Sequence, residues 1–291
     1  MEYNALMSQP YDLHAHSTAS DGTLSPTALV ARAHEKGVKV LALTDHDNTA
    51  GIEEARIEAN RLGIELVAGA EISVTWGAQV VHIVALNVDI ENAELQTGLN
   101  RLCDFREWRA EEIGRRLEKA GIAGAYEGAR RFAKGRIVGR THFGHFLIDA
   151  GHAKDMRQVF KRYLVRNKPG HVSGEWAAID EAVGWIKAAG GQSVIAHPAR
   201  YSMTATKLRR LFGAFKECGG DALEVVSGSH SASENIVMAS HARAFDLLSS
   251  SGSDYHGPET PWTELGRLPD LPNGCEPIWA DWHPAERVSN A

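Results

Sequence analysis

Residues 11–16 read Tyr-Asp-Leu-His-Ala-His, and the pair His14 and His16 has the spacing of a cation grip. The run Tyr11-Asp12-Leu13 is short and strand-like. Side chains two apart on extended backbone point to the same side, so both imidazoles can reach one ion. Three further clusters repeat the form: Thr44-Asp45-His46, Ala196-His197-Pro198 and Ser253-Asp254-Tyr255-His256. Each follows an apolar, β-rich run, namely Val38 to Leu43, Ser193 to Ile195 and Leu247-Leu248. Histidine and aspartate converging from four strand ends predict a metal site.

Three single residues join the set. Glu71 follows the run Ile64 to Gly69, and its two carboxylate oxygens could bridge two cations. His82 lies inside an otherwise apolar strand, where an unpaired imidazole would be costly. Asp21, in Ser20-Asp21-Gly22, is either a turn former or a ligand beyond His16. The candidates are then His14, His16, Asp21, His46, Glu71, His82, His197, Asp254 and His256, too many for one ion. Two or three clustered divalent cations, each taking roughly four to six donors, need about this number. Mixed imidazole and carboxylate ligation suits Mn, with Zn or Fe as alternatives, better than Mg or Ca.

The elements that must position these residues alternate between strand and helix. Ser25-Pro26 is a helix cap followed by proline at the first turn, and that helix runs to Lys36. Val38 to Thr44 reads as a buried strand, 49–61 as a helix, and Ile64 to Ser73 and Val80 to Asn87 as strands. A long helix is expected from about Glu91 to Ala120, stopped by Gly121. From 122 to about 175 the rhythm breaks into short helical stretches rich in Gly, Arg and His. It resumes with helix 179–189, strand 192–196, helix 206–217, strand Ala222 to Val226, helix 233–245 and strand 247–250. Such alternation predicts a mostly parallel sheet, open or closed, with its site at the strand carboxyl ends.

The chain has 291 residues and a formal charge of −6, which conceals an asymmetry. Residues 130–170 carry eleven Lys and Arg against Asp149 and Asp155, a local +9, so the remainder carries −15. This stretch is either a solvated basic face or a cover that greets an anionic ligand, and its place as an interruption of the β/α pattern favours the cover. The acidity elsewhere argues against a long nucleic-acid footprint. No run of about 18 apolar residues predicts a membrane span. The first ten residues show no secretory pattern. Cys103, Cys218 and Cys275 are odd in number and widely spaced, as expected of reduced thiols in a cytoplasmic protein.

The four motifs in this order resemble those of the PHP (polymerase and histidinol phosphatase) family, over residues 11 to about 257. The resemblance implies a distorted (β/α)7 barrel with a trinuclear metal site and a small, mostly helical insert. On that pattern the barrel occupies 11–121 and 176–266, the insert 122–175 and a tail 267–291. His14, His16, Glu71 and Asp254 would hold one metal; Glu71, His82 and His197 a second; Asp21, His46 and His256 a third. Asp21 stands where many family members carry His.

Trp76-Gly77, Arg106-x-x-Arg109-Ala110, Arg140-Thr141-His142 and the run Ala196 to Tyr201 narrow the likeness. They are similar to a subgroup acting on nucleoside 3′,5′-bisphosphates, such as pAp, and on the 5′ end of short RNA. A metal-activated water would attack phosphorus, with His46, His256 and Asp254 as proton-handling groups. Asp21, His46, Arg106, Arg109, Arg140, Thr141, His142, Lys168 and Arg200 would contact substrate. No membrane and no stable protein partner is implied. The alternatives are a phosphatase of another metabolite of the histidinol phosphate type, a C–N hydrolase and a non-catalytic module. The basic insert argues against the C–N hydrolase, because amide or cyclic-imide substrates need no such charge, and the presence of all nine candidate ligands argues against the non-catalytic module.

Overall fold

Period-two alternation decides what enters the barrel. In a computed structural model, which describes residues 11–174 and 176–282, seven strands form one sheet in sequence order. The first ten residues, where no secretory pattern is expected, position 175 at the end of the expected insert and residues 283–291 of the expected tail lie outside the described residues. The strands are β1 (Tyr11–Asp12), β2 (Val40–Leu43), β3 (Glu65–Trp76), β4 (Gln79–Leu86), β5 (Gln192–Ile195), β6 (Ala222–Ser227) and β7 (Leu248–Gly252). Val40, Ala42, Val67, Val84, Leu86, Val194 and Ala222 fill the interior, with Leu13 and Ala196 from the strand ends. Ile278 and Trp279, in a 3-10 turn at Ile278–Asp281, close the floor, Trp279 stacking on Tyr11 at 4.5 Å. Alternate positions, including Ile72, Val74, Val81, Ile83, Ile195, Leu223 and Val225, face the outer helices. The same period puts Glu71, His82 and Glu224 on the inner face, above Val67, Val84 and Ala222.

Four of the six pairings are parallel, but β4 runs antiparallel to both β3 and β5. The sheet is mostly parallel, as expected, and β4 is its antiparallel exception. Gly77, at φ 60°, permits a two-residue turn from Trp76 to Gln79, and a hairpin must return antiparallel. Glu71 lies within β3, and pairing with β4 carries that strand past the expected end at Ser73 to Trp76.

The sheet nearly closes on itself. Leu13 N–H donates to the Ser251 carbonyl at 3.0 Å, Asp254 N–H to the His14 carbonyl at 2.8 Å, and Ala15 bridges Tyr255 in parallel register. Buried Asp12 accepts from Ser253 N–H and Gly266 N–H, stitching the joint from the side. Gly252 is required here, since a Cβ would sit 2.3 Å from His14 Cβ.

Outside the barrel lie α1 (Pro26–Glu35, capped by Ser25), α2 (Ile52–Leu62), α3 (Ala93–Lys119), α7 (Ile179–Ala188), α8 (Ala205–Glu217) and α9 (Ala232–Ala244). The first half of α3 packs on the barrel through Leu95, Leu99 and Leu102, while Ala110, Ile113 and Leu117 begin a second core. That core continues through α4 (Ala125–Arg130), α5 (Arg140–Asp149) and α6 (Met156–Val159), which runs into a π-turn at Phe160–Leu164. A single rigid rod of 27 residues thus holds the basic segment at a fixed height over the barrel.

Candidate metal centre

All nine predicted ligands meet at one end of the barrel. Glu71 is at the centre. Its Oε1 lies 2.8 Å from His82 Nδ1, 3.0 Å from His197 Nε2 and 3.5 Å from His14 Nε2. Its Oε2 lies 2.8 Å from His46 Nδ1 and 3.5 Å from His16 Nε2. Asp254 Oδ1 is 3.3 Å from His16 Nε2 and 3.6 Å from His14 Nε2. Asp21 Oδ1 is 3.3 Å from His256 Nε2 and 3.7 Å from His46 Nε2. Three subsets have ligand atoms close enough for a shared ion: His14, His16 and Glu71; His46, Glu71 and His82; and His16, Asp21, His46 and His256.

The donor set fits divalent cations on three grounds. Buried polar atoms that should not be left alone have no hydrogen-bond partner: His16 Nδ1, Asp21 Oδ1, His46 Nδ1, Glu71 Oε2 and His197 Nδ1. His46 Nδ1 approaches Glu71 Oε2 closely but without hydrogen-bond alignment, as two ligands of one ion would. Second, four carboxylates (Asp21, Glu71, Glu224 and Asp254) crowd the cluster, and one guanidinium, Arg200, pairs with Asp254 at 2.6 Å. Ligating imidazoles are neutral, so that negative charge calls for cations.

Third, protonation follows the charge. Burial, aided by His256 and His46, pushes His16 down to about 3, which keeps its lone pair free. Burial opposes a proton on His14, yet Glu224, Glu71 and Asp254 raise it well above the ordinary imidazole value. Burial likewise opposes the Glu71 and Asp254 carboxylates. Even so, His82, His46 and His14 hold Glu71 far below its usual range, and His14, His16 and His256 do the same for Asp254. At His14, Glu71 and Asp254 the cluster seeks positive charge, while His16 stays neutral.

Several supporting residues escaped the sequence reading. Asp45, fully buried, accepts from Ser17 N–H, Ser17 Oγ and Ser20 Oγ at 2.8, 2.7 and 2.6 Å, and so shapes the loop that carries Asp21. Gly22 completes that loop, since a Cβ would lie 2.4 Å from the His16 carbonyl oxygen. Tyr201 Oη accepts from His82 N–H at 2.8 Å. Glu224 accepts from His14 Nδ1–H at 2.8 Å. A charged residue inside the apolar run Ala222 to Val226 was the signal for it. His197, Asp254 and Asp47 have positive φ (31°, 56° and 51°), backbone strain of the sort held at working sites.

A cavity of about 840 Å³ opens above the cluster. Its walls include Arg106 and Arg109 of α3, Arg140 and Thr141 at the start of α5, and Phe160, Arg166 and His171. The predicted substrate contacts divide. Arg106 is committed to buried Asp47 at 2.5 Å and Ser73 Oγ at 2.8 Å, and Arg200 to Asp254. Thr141 Oγ1 donates to Asp21 Oδ2 at 3.1 Å. Two residues do not reach the cavity. Lys168 is exposed on a turn closed by its own N–H to the Val165 carbonyl, and Arg166 faces the cavity in its place. His142 is buried in the insert, where its Nδ1 accepts from Gly139 N–H.

Arg109 and Arg140 pair with no carboxylate among the described residues. Burial, then Arg140 and Arg106, bring Arg109 down to about 9. Arg140 is accessible through the cavity it lines, yet the packing around it and then Arg106 depress it, with Asp21 acting the other way. Cations crowded against one another on a cavity wall are a receptor for an anion.

A nearly closed seven-stranded barrel, ligands converging at one rim and an arginine-lined cover together define a class. Residues 12–175 match the PHP domain, and the chain belongs to the PHP family. It is an enzyme of that family, a metal-dependent phosphoester hydrolase. Among its relatives, a 3′,5′-nucleoside bisphosphate phosphatase of Chromobacterium violaceum is 47% identical over 271 residues, spanning 93% of this chain and 95% of the relative. The 5′-3′ exoribonuclease Rnm of Escherichia coli is 46% identical over 281 residues, spanning 96% of each. A structure of an amidohydrolase from Chromobacterium violaceum, with bound sulfate and no metal, superposes with TM-score 0.89 at 47% identity, covering 92% of this chain and 94% of that one. A Bifidobacterium adolescentis structure, inferred to be a metal-dependent phosphoesterase, gives TM-score 0.79 at 26% identity, covering 93% of each chain. No helix among the described residues is long and apolar enough to cross a membrane.

Proposed function

We propose that this protein removes the 3′-phosphate from nucleoside 3′,5′-bisphosphates and, by the same chemistry, shortens 5′-phosphorylated oligoribonucleotides from the 5′ end. The observation that carries the reading is the pairing of two sites across one cavity. The ligand cluster forms the floor, and Arg109 and Arg140, which pair with no carboxylate among the described residues, stand on the wall. In both substrates a terminal nucleotide carries a 5′-phosphate, and the bond broken joins the 3′-oxygen to phosphorus. The 5′-phosphate would lie against Arg140 and Arg109, beside the N-terminus of α5, where backbone amides favour an anion.

His14, His16, Glu71 and Asp254 would hold one divalent ion, Glu71, His82 and His197 a second, and Asp21, His46 and His256 a third, with Mn as the expected metal. Ions so held supply Lewis acidity and an activated water near neutral pH. The chain's own part is placement. Arg200 holds Asp254 Oδ2 and leaves Oδ1 toward His14 and His16, and Thr141 ties the insert to Asp21. His256 stands at the cavity edge, where its Nδ1–H donates to the Asp254 carbonyl at 2.8 Å, which fixes the tautomer and leaves Nε2 toward Asp21. The three cysteines are free thiols, which suits the cytoplasm, where we place the protein.

The test offers Mn-loaded protein a nucleoside 3′,5′-bisphosphate, its 3′-monophosphate, its 5′-monophosphate and histidinol phosphate in parallel. The bisphosphate should be preferred by at least tenfold in kcat/KM over the 3′-monophosphate, as one charge-assisted contact implies. Equal rates on those two, or a preference for histidinol phosphate, would overturn the reading.

A further inference from the structure

Glu224 belongs to none of the ligand subsets, yet it is 1% exposed, deep beneath them, and it needs a reason to be there. Its strand is apolar on both sides of it, and a carboxylate in such a place is expensive unless it is bonded. One oxygen, Oε2, takes two hydrogen bonds. His14 Nδ1–H donates at 2.8 Å, and the backbone N–H of His197 donates at 3.2 Å. Oε1 is buried with no partner. The strand is bulged at this point, with Glu224 opposite Ser250 and Val226 opposite Ser251, which re-aims the local chain.

Each of these bonds fixes a different thing. A carboxylate can only accept, so the proton on His14 must sit on Nδ1, and Nε2 is left with its lone pair toward Glu71, His16 and Asp254. The bond from His197 N–H restrains a residue whose φ of 31° is strained, and it is this backbone that sets His197 Nε2 at 3.0 Å from Glu71. The two rings stack 5.7 Å apart, 22° from parallel, with the same oxygen serving both residues.

We infer that Glu224 is a joint positioning residue. Through one oxygen it sets the tautomer of His14 and the backbone of His197, and so couples two cation subsites that share Glu71. This rests on the metal assignment proposed above. The third subset, Asp21, His46 and His256 with His16, has no bond to Glu224, which makes the effect selective.

The experiment is calorimetric titration of metal-stripped protein with Mn, with ion content by elemental analysis, for wild type, Glu224→Gln and Glu224→Ala. Far-UV circular dichroism and thermal melting of the stripped proteins establish that each is folded. Glu224→Gln keeps the shape but replaces the charged acceptor by a neutral, weaker amide, which loosens both bonds at once, so it tests the inference even if Glu224→Ala does not fold. Expected is a loss of about ten- to a hundredfold in Mn affinity for two ions together, with the remaining binding unchanged. Loss confined to one ion, equal loss of all binding, or no loss in Glu224→Gln would overturn the inference. Wild type holding less than one ion per chain would instead overturn the metal assignment beneath it.

Discussion

Arg140→Ala separates recognition from stability, because Arg140 does little for the fold. In the free protein it lies 5.5 Å from the Phe160 ring, a contact contributing about 0.5–1 kcal/mol. Against that stands its repulsion with Arg109 and Arg106, which adds to burial in depressing Arg109 and Arg140. The two effects oppose each other, so the melting temperature should stay within about 2 °C of wild type. With a bisphosphate bound, the same guanidinium makes a charge-assisted contact of roughly 1.5–3 kcal/mol, and kcat/KM should fall roughly ten- to a hundredfold. The 3′-monophosphate, which has nothing for Arg140 to hold, should change by less than about threefold. The assay is phosphate release from both substrates by wild type and variant at fixed Mn. Equal losses on the two would assign Arg140 to the reacting phosphate, and a melting temperature lower by 10 °C or more would assign it to the fold; either refutes the reasoning.

Glu71→Gln should lower kcat/KM on the order of a hundredfold or more and reduce bound metal, since one side chain spans five imidazoles; a variant keeping most of its activity would show that it bridges nothing. Chelation should abolish turnover, and Mn should restore it. With Mn at about 100 times its dissociation constant, the loaded protein should gain about 2.7 kcal/mol and melt roughly 5–10 °C higher for each site filled, which scanning calorimetry reads directly. Asp45→Ala leaves three donors without their acceptor and should cost about 2–4 kcal/mol in urea unfolding; a cost below about 1 kcal/mol would mean the Ser17–Ser20 loop is held by other contacts.

The candidate cluster was legible because His and Asp stand two apart just past apolar runs. His14 with His16, and Asp254 with His256, each announce a pair in three letters of sequence, although Asp254, at φ 56° beyond the end of β7, owes its aim to a left-handed turn and not to strand period. Strand direction is not written that way. Gly77 read as part of a motif and not as the turn that reverses β4. In the structure Gly69 continues β3, and a Cβ there would lie 2.4 Å from the Ala85 carbonyl oxygen. Long-range pairs were also out of reach. Arg106 was assigned to substrate because its partner, Asp47, lies 59 residues earlier, and only folding brings that carboxylate beneath it. Glu224 was hidden by the apolar character of its neighbours, although a lone acid in a buried strand is itself a question.

The joint between β1 and β7 has a consequence for how the molecule comes together. Backbone bonds across it are few, and they link the start of the described chain to residues past 250. His14 and His16 stand on one bank of this seam and Asp254 on the other. Contacts separated by some 240 residues are the last a growing chain can make. An ion seated between them is therefore a rivet as well as a reagent, available only to a chain that has already brought its two ends together.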